Sequence, residues 1–152
     1  MAINTGSILR IDLSTGRTSE EAVPRQIAED FVGGRGYGIR YLYDELKPGT
    51  DPLGPDNKLL MITGPLAGTA AQAVSRWIVC TKSPLTGAFA RSVCGADFGA
   101  WLKFAGYEML IIEGKAEKPS YIHISDEGVK ILPADPVWGK ETKETQQYFQ
   151  DT

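Results

Sequence analysis

The chain opens on Ser7-Ile8-Leu9-Arg10-Ile11-Asp12-Leu13, an alternating run closed by the turn Ser14-Thr15-Gly16. Arg17 to Val23 comes back from that turn, so residues 7–23 read as a β-hairpin. Pro24 occupies the first-turn position that a helix tolerates and opens a short helix from Arg25 to Val32, which Gly33-Gly34 ends. A second helix runs from about Tyr37 to Leu46, where Ile39, Leu42, Tyr43 and Leu46 are spaced for one apolar face. Lys47-Pro48-Gly49 stops it, and residues 50–57 are a loop of turn formers. Lys58 to Thr63 is a continuous apolar run, the pattern of a strand buried on both faces. Trp77 to Thr81 and Ala88 to Ser92 read as further strands, and Asp97 to Ala105 as a short helix closed by Gly106. Met109 to Gly114 is another buried strand with its stop. Pro119 to Ile131 makes a second hairpin around Asp126-Glu127-Gly128, and Glu141 to Asp151 a polar helix. That helix runs to the chain end without a cap, which reads residue 152 as a cut. The two hairpins are similar in length and each has a glycine in its turn, a weak internal echo.

No linker or low-complexity segment divides the pattern, so the expectation is a single domain over residues 1–152, α+β and mostly strand. The 152 residues suffice for a core: a chain of this size buries roughly 68–70% of its unfolded surface. Hydrophobic residues at 42% and charged residues at 23% are ordinary globular values and argue against disorder. Sixteen Lys+Arg against nineteen Asp+Glu leave a net charge of -3, too balanced for a general nucleic-acid binder. No run of about 18 apolar residues occurs, and the first residues lack a basic segment followed by an apolar one. The expected location is the cytoplasm. Two cysteines and one histidine, Cys80, Cys94 and His123, cannot supply the four protein ligands of a structural zinc or an iron–sulfur cluster.

Three stretches carry candidate chemistry. Gly33-Gly34-Arg35-Gly36-Tyr37-Gly38 has glycines enough for a phosphate-facing backbone, but a helix precedes it where a dinucleotide fingerprint needs a strand. A helix–helix corner that needs positive φ is the favoured reading. Arg76 stands at the end of a loop of small residues, just before a strand. There it is either a donor fork for anions and acceptor-rich rings or a member of a surface ion pair. Ser92 to Gly99 is a strand end, a small-residue turn and a helix start. Its free N–H groups favour an anion, while Asp97 alternatively caps the helix. Cys94 reads as a small buried hydrophobe, with a reactive thiol or metal ligand as the alternative, and His123 as a solvated or packed strand residue.

Taken in order, the motifs resemble a known family. They are Leu9-Arg10-x-Asp12-Leu13-Ser14-Thr15-Gly16, Gly33-Gly34-Arg35-Gly36, Asp51-Pro52-Leu53 and Gly64-Pro65-Leu66-Ala67-Gly68-Thr69. Arg76, Thr81-Lys82-Ser83-Pro84-Leu85-Thr86-Gly87, Phe98-Gly99-Ala100-x-Leu102-Lys103-Phe104-Ala105-Gly106-Tyr107, Ile112 to Ala116 and Trp138-Gly139-Lys140 follow. The resemblance is to the N-terminal domain of the tungsten-containing aldehyde:ferredoxin oxidoreductases. It implies a domain of two β-sheets related by a pseudo-two-fold, on which a tungsten bis-pyranopterin is seated and a magnesium ion bridges the pterin phosphates. It implies cofactor contacts at Arg76, Val93, Cys94, Gly95 and Ala96, with the Val93 backbone carbonyl turned to magnesium. The family usually has Asn at the Val93 position and often Gly at that of Ala96, and Asp97 beside phosphates is a further departure.

The same resemblance implies a 4Fe–4S cluster whose ligands lie outside this segment, and no catalytic residue inside it. The chain is then a piece of a larger oxidoreductase, inactive alone, that oxidises aldehydes to carboxylic acids with ferredoxin as electron acceptor. Its implied partners are ferredoxin, the remaining domains of the same protein, and a second copy or other redox subunits, with no nucleic acid and no membrane. Two readings compete: a relative acting on another substrate, of the benzoyl-CoA reductase type, and a non-catalytic domain that binds a ligand or partner.

Overall fold

Alternating and apolar runs become strands almost where the pattern puts them. The computed structural model describes residues 6–151, in two compact units that meet in sequence at Lys115 and Ala116. In the first unit the hairpin is β1 (Ser7–Asp12) and β2 (Arg17–Ala22), followed by α1 (Arg25–Phe31) and α2 (Arg35–Glu45). Then come β3 (Lys58–Ile62), β4 (Trp77–Lys82), β5 (Phe89–Cys94), α3 (Phe98–Phe104) and β6 (Tyr107–Glu113). The second unit holds β7 (Ser120–Ser125), β8 (Gly128–Pro133) and α4 (Thr142–Asp151).

β1 to β6 form one six-stranded sheet in the order β2-β1-β6-β3-β4-β5, with β1 and β6 parallel and all other neighbours antiparallel. β6 is central, and its run Tyr107 to Ile111 is buried throughout, which explains why that stretch carries no polar alternation. β3 differs from its pattern. Leu60 and Ile62 are buried, whereas Leu59 and Met61 on the other face are only half-buried. At the outer edge β2 is exposed along its length and carries Arg17, Glu20 and Glu21, charges that discourage a further strand from adding there.

One face of the sheet holds the core. Ile8, Leu60, Ile62, Ile78, Cys80, Met109 and Ile111 pack against Tyr37, Tyr41 and Leu42 of α2. The helix face is therefore not the expected one: Leu42 is buried, but Ile39 and Tyr43 are exposed. The cause is Gly38. A Cβ built there would lie 2.6 Å from the Cys80 sulfur, so the absence of a side chain lets α2 settle on β4 along the Tyr37–Gly38–Tyr41–Leu42 stripe. Gly38→Ala is expected to destabilise this unit by about 1–3 kcal/mol, the usual cost of overpacking. Gly64→Ala, where a Cβ meets nothing within 4 Å, is the matched control and should be near neutral by urea denaturation.

The second unit is a two-stranded antiparallel sheet of β7 and β8, with Ser125 opposite Gly128 at the turn. On it the Tyr121 ring meets Phe149 of α4 with centroids 4.9 Å apart. His123 is exposed on β7, the solvated one of the two placements the sequence allows. Two sheets and four short helices give the α+β, strand-rich fold that the residue pattern predicts. Among the described residues no helix is long and apolar enough to cross a membrane.

Candidate functional site

Antiparallel pairing collects four strand ends. Ile62 lies opposite both Ile78 and Met109, and Trp77 opposite Cys94. The end of β3, the start of β4, the end of β5 and the start of β6 therefore share one end of the sheet. The 63–76 loop and the 95–97 turn leave from that end. The glycine corner between α1 and α2 is fastened to it: the Gly34 N–H donates to the Thr63 carbonyl at 3.0 Å. All three sequence candidates thus converge.

The corner is the helix–helix turn that the glycines suggest. Gly33 and Gly34 have φ of 146° and 52°, which L side chains rarely adopt, and α2 starts at Arg35 as soon as they have turned the chain. Beyond the glycines, three of the described residues have positive φ: Val32 at 64°, Ala73 at 61° and Ala96 at 59°. Each sits in one of the three converging segments. Strain of this kind costs about 1–3 kcal/mol per residue and gathers at sites where geometry matters more than stability.

The 93–97 stretch is built for close approach. Val93 and Cys94 finish β5, Val93 exposed and Cys94 half-buried with a free thiol. Gly95 faces open space, since a Cβ there meets nothing within 4 Å. Its carbonyl accepts the Trp77 indole N–H at 3.1 Å, and the Trp77 ring stacks on Phe98 with centroids 4.4 Å apart, so the turn is anchored from behind. Among the described residues the backbone N–H groups of Gly95, Ala96 and Asp97 find no acceptor. Asp97 does not cap α3: it stands at the capping position in helical conformation, φ −87° and ψ −15°, and makes no capping hydrogen bond. A side chain caps from extended backbone, which is absent here.

Arg76 is exposed immediately before β4, and among the described residues its guanidinium has no partner. The surface ion pair that the sequence leaves open is not formed within this chain. Beside it the 68–75 segment and α3 border a shallow hollow of about 210 Å³ lined by Ala71, Ala73, Ser75, Ala100 and Phe104. Cys80, by contrast, is a core residue of β4, and burial pushes its thiol up to about 11. The described residues contain no group of three or more His, Cys, Asp or Glu placed to hold a metal.

A buried polar cluster at this sheet end escaped the sequence reading. Glu108 is 2% exposed and pairs with Lys103 of α3, while Thr63, wholly buried, donates its hydroxyl to the Glu108 carbonyl at 2.9 Å. The Thr63 N–H donates to the same carbonyl at 3.0 Å. Tyr37 lies close enough to feel Glu108: burial first, then that charge, pushes its phenol up to about 12, and its hydroxyl has no hydrogen-bond partner among the described residues. The available signal was a single carboxylate inside the apolar run Tyr107 to Ile112.

Larger hollows lie elsewhere. One of about 680 Å³ sits at the opposite end of the sheet among Asp12, Glu45, Lys58 and Glu113. Several of its charges are paired: Arg10 pairs with Glu45, and Lys58 with Glu45 and Glu113, while Lys47 and Asp56 in its lining have no ion-pair partner among the described residues. Burial raises the Glu45 carboxyl and the hydrogen bonds and charges of Arg10 and Lys58 lower it, leaving it below the usual range. A second, of about 360 Å³ and almost wholly apolar, runs between α2 and the β4–β5 hairpin past Ile39, Tyr43 and Phe89. Neither borders the strained turns around Gly95 and Arg76.

A six-stranded sheet with strained small-residue loops and an unpaired arginine at one end matches a known domain. The chain belongs to the aldehyde ferredoxin oxidoreductase family, of which residues 8–152 form the N-terminal domain. It is 48% identical over 146 residues to the tungsten-containing aldehyde ferredoxin oxidoreductase of Pyrococcus horikoshii, covering 96% of this chain and 24% of that protein. The aliphatic sulfonate oxidoreductase, WOR-like subunit, of Pyrococcus furiosus is 36% identical over 137 residues, covering 88% of this chain and 22% of that one. Among solved structures, the active site complex BamBC of benzoyl coenzyme A reductase superposes with a TM-score of 0.94. Its identity is 34%, over 98% of this chain and 23% of that one. The chain spans about a quarter of the length of these relatives.

Proposed function

We propose that this chain is the seat of a tungsten bis-pyranopterin in an oxidoreductase that converts aldehydes to carboxylic acids and passes the electrons to ferredoxin. The single observation that carries the reading is the 46–48% identity to four relatives named as tungsten-containing aldehyde ferredoxin oxidoreductases, which extends over nearly the whole chain. The residues at the sheet end suit such a group. Open space over Gly95, three backbone N–H groups without acceptors and an unpartnered Arg76 are what an anionic, acceptor-rich cofactor requires.

When bound, the cofactor supplies the oxygen-transfer and redox chemistry, and the protein supplies seating and electrostatics. In this reading Gly95 and Ala96 let the backbone approach phosphate, and Cys94 lines the end of β5 beside them. The Val93 carbonyl is the oxygen offered to a magnesium ion, a contact that does not depend on the Val93 side chain. Arg76 would donate hydrogen bonds to the pterin and stabilise negative charge on the bound cofactor. The Asp97 carboxylate works against phosphate and has no cap to occupy it, so it must turn to solvent or to the cation. The cluster ligands lie beyond this segment, and the segment alone turns nothing over.

The likeness to benzoyl coenzyme A reductase keeps a second substrate class in view, aryl-CoA thioesters. The test is a screen of the full-length protein with ferredoxin and both substrate classes, under reducing as well as oxidising conditions. Aldehyde-dependent ferredoxin reduction is the expected result. Activity only on aryl-CoA esters would replace it with the second reading. A protein that binds neither the cofactor nor any substrate would point to a non-catalytic domain.

A further inference from the structure

We propose that Glu108 is a positioning residue that ties together the segments converging on the candidate site, its carboxylate reaching α3 through Lys103 and, on the other side, the hydroxyl of Thr63, whose backbone carbonyl holds the glycine corner. The inference rests on the reading under Proposed function only for what the segments hold, not for the coupling itself.

The connections can be followed from the carboxylate outward. Glu108 lies at the start of the central strand, almost without solvent, and its carboxylate pairs with Lys103 on the last turn of α3. α3 begins directly after the 95–97 turn, so this ion pair holds the far end of the element that the turn feeds. On the other side, the Glu108 backbone carbonyl accepts both the N–H and the hydroxyl of Thr63, and Glu108 Oε1 lies 3.4 Å from that hydroxyl. The Thr63 carbonyl in turn accepts the Gly34 N–H at 3.0 Å, and a Cβ on Gly33 would come within 3.7 Å of Glu108 Oε1. Glycine at the corner is required by its φ of 146° and by Pro65, whose Cδ would lie 3.2 Å from a Cβ there, and the Glu108 carboxylate borders this corner without clashing with it. Thr63 also opens the loop that delivers Arg76.

A buried ion pair is poor evidence of net stability, because desolvation offsets much of the attraction. Its better-attested use is to select one arrangement among several of similar energy. Charged hydrogen bonds also lose strength steeply with misalignment, so a segment bonded to Glu108 has little freedom to shift. Tyr37 is the internal control: it is buried in the field of Glu108, yet its hydroxyl has no hydrogen-bond partner among the described residues.

The test is hydrogen exchange by mass spectrometry on the full-length protein, comparing wild type with Glu108→Gln, Glu108→Asp and Tyr37→Phe, alongside tungsten and pterin content. In Glu108→Gln, amides in 31–38 and in 95–104 should both exchange faster by about tenfold or more. The β1–β2 hairpin should exchange as in wild type. Glu108→Asp, which keeps the charge, should recover most of the protection, and Tyr37→Phe should leave both segments unchanged. Folded Glu108→Gln protein should hold less than about a tenth of the wild-type cofactor, the same factor carried to binding. Acceleration in only one of the two segments, or equal acceleration across the whole sheet, would overturn the coupling. If Glu108→Gln does not fold, Lys103→Met, which removes the ion-pair partner of the carboxylate, takes its place in the same comparison. Wild-type protein without tungsten or pterin would sink the cofactor reading and leave the exchange result to judge Glu108.

Discussion

Gly95→Asp in the full-length protein is expected to lose the tungsten cofactor while this domain stays folded. The structure separates those two effects. A side chain at Gly95 enters open space and the backbone there does not have positive φ, so the fold has no reason to object. The cofactor does. A carboxylate beside a phosphate about 4 Å away is repelled by roughly 1 kcal/mol in water and roughly 4 kcal/mol at the effective dielectric of a protein surface. At 1.4 kcal/mol per decade this is between about fivefold and several hundredfold in affinity. Asp97 already brings one negative charge to the turn, so a second compounds the effect. Tungsten per chain and the melting temperature are the measurements. A full complement of tungsten in Gly95→Asp contradicts the site, and loss of tungsten together with unfolding removes the inference from it.

Arg76 is expected to matter nearly as much, through donors as well as charge. It makes no ion pair with the described residues, so removing it costs this domain little, and any loss belongs to what it faces. Hydrogen bonds to a charged partner contribute about 1.5–3 kcal/mol each. Arg76→Ala should therefore retain the cofactor less firmly by one to two orders of magnitude, about 1.4 kcal/mol per decade. Arg76→Lys keeps the charge and loses the planar fork, and the two are not equivalent where bidentate donation is used. The lysine variant should keep tungsten but show a shifted cluster potential and slower reduction of ferredoxin. Wild-type turnover and potential in both variants would return Arg76 to the status of an ordinary surface residue.

The strands were legible because each needs only local evidence. Apolar runs such as Met109 to Ile112 and turn formers such as Ser14-Thr15-Gly16 mark themselves without reference to the rest of the chain. The candidate residues Arg76 and Val93 to Ala96 were singled out for a different reason: several separated motifs kept their order and spacing. What stayed hidden depended on pairing across the sheet. Ile39 and Tyr43 have helical spacing for a buried face, but the close approach permitted by Gly38 turns another stripe inward, and nothing local records where Cys80 lies. Glu108 was hidden likewise, since its partners Lys103, Thr63 and Gly34 come from three segments that only the strand order brings together. Positive φ at Val32, Ala73 and Ala96 also leaves no mark, because these side chains favour other conformations.

The most direct test is the tungsten and pterin content of the full-length wild-type protein, purified without oxygen from cells supplied with tungstate. One tungsten per chain with its pterins, lost in Gly95→Asp, is the predicted result. Protein that is folded, free of tungsten and free of pterin would contradict the claim that this domain seats the cofactor.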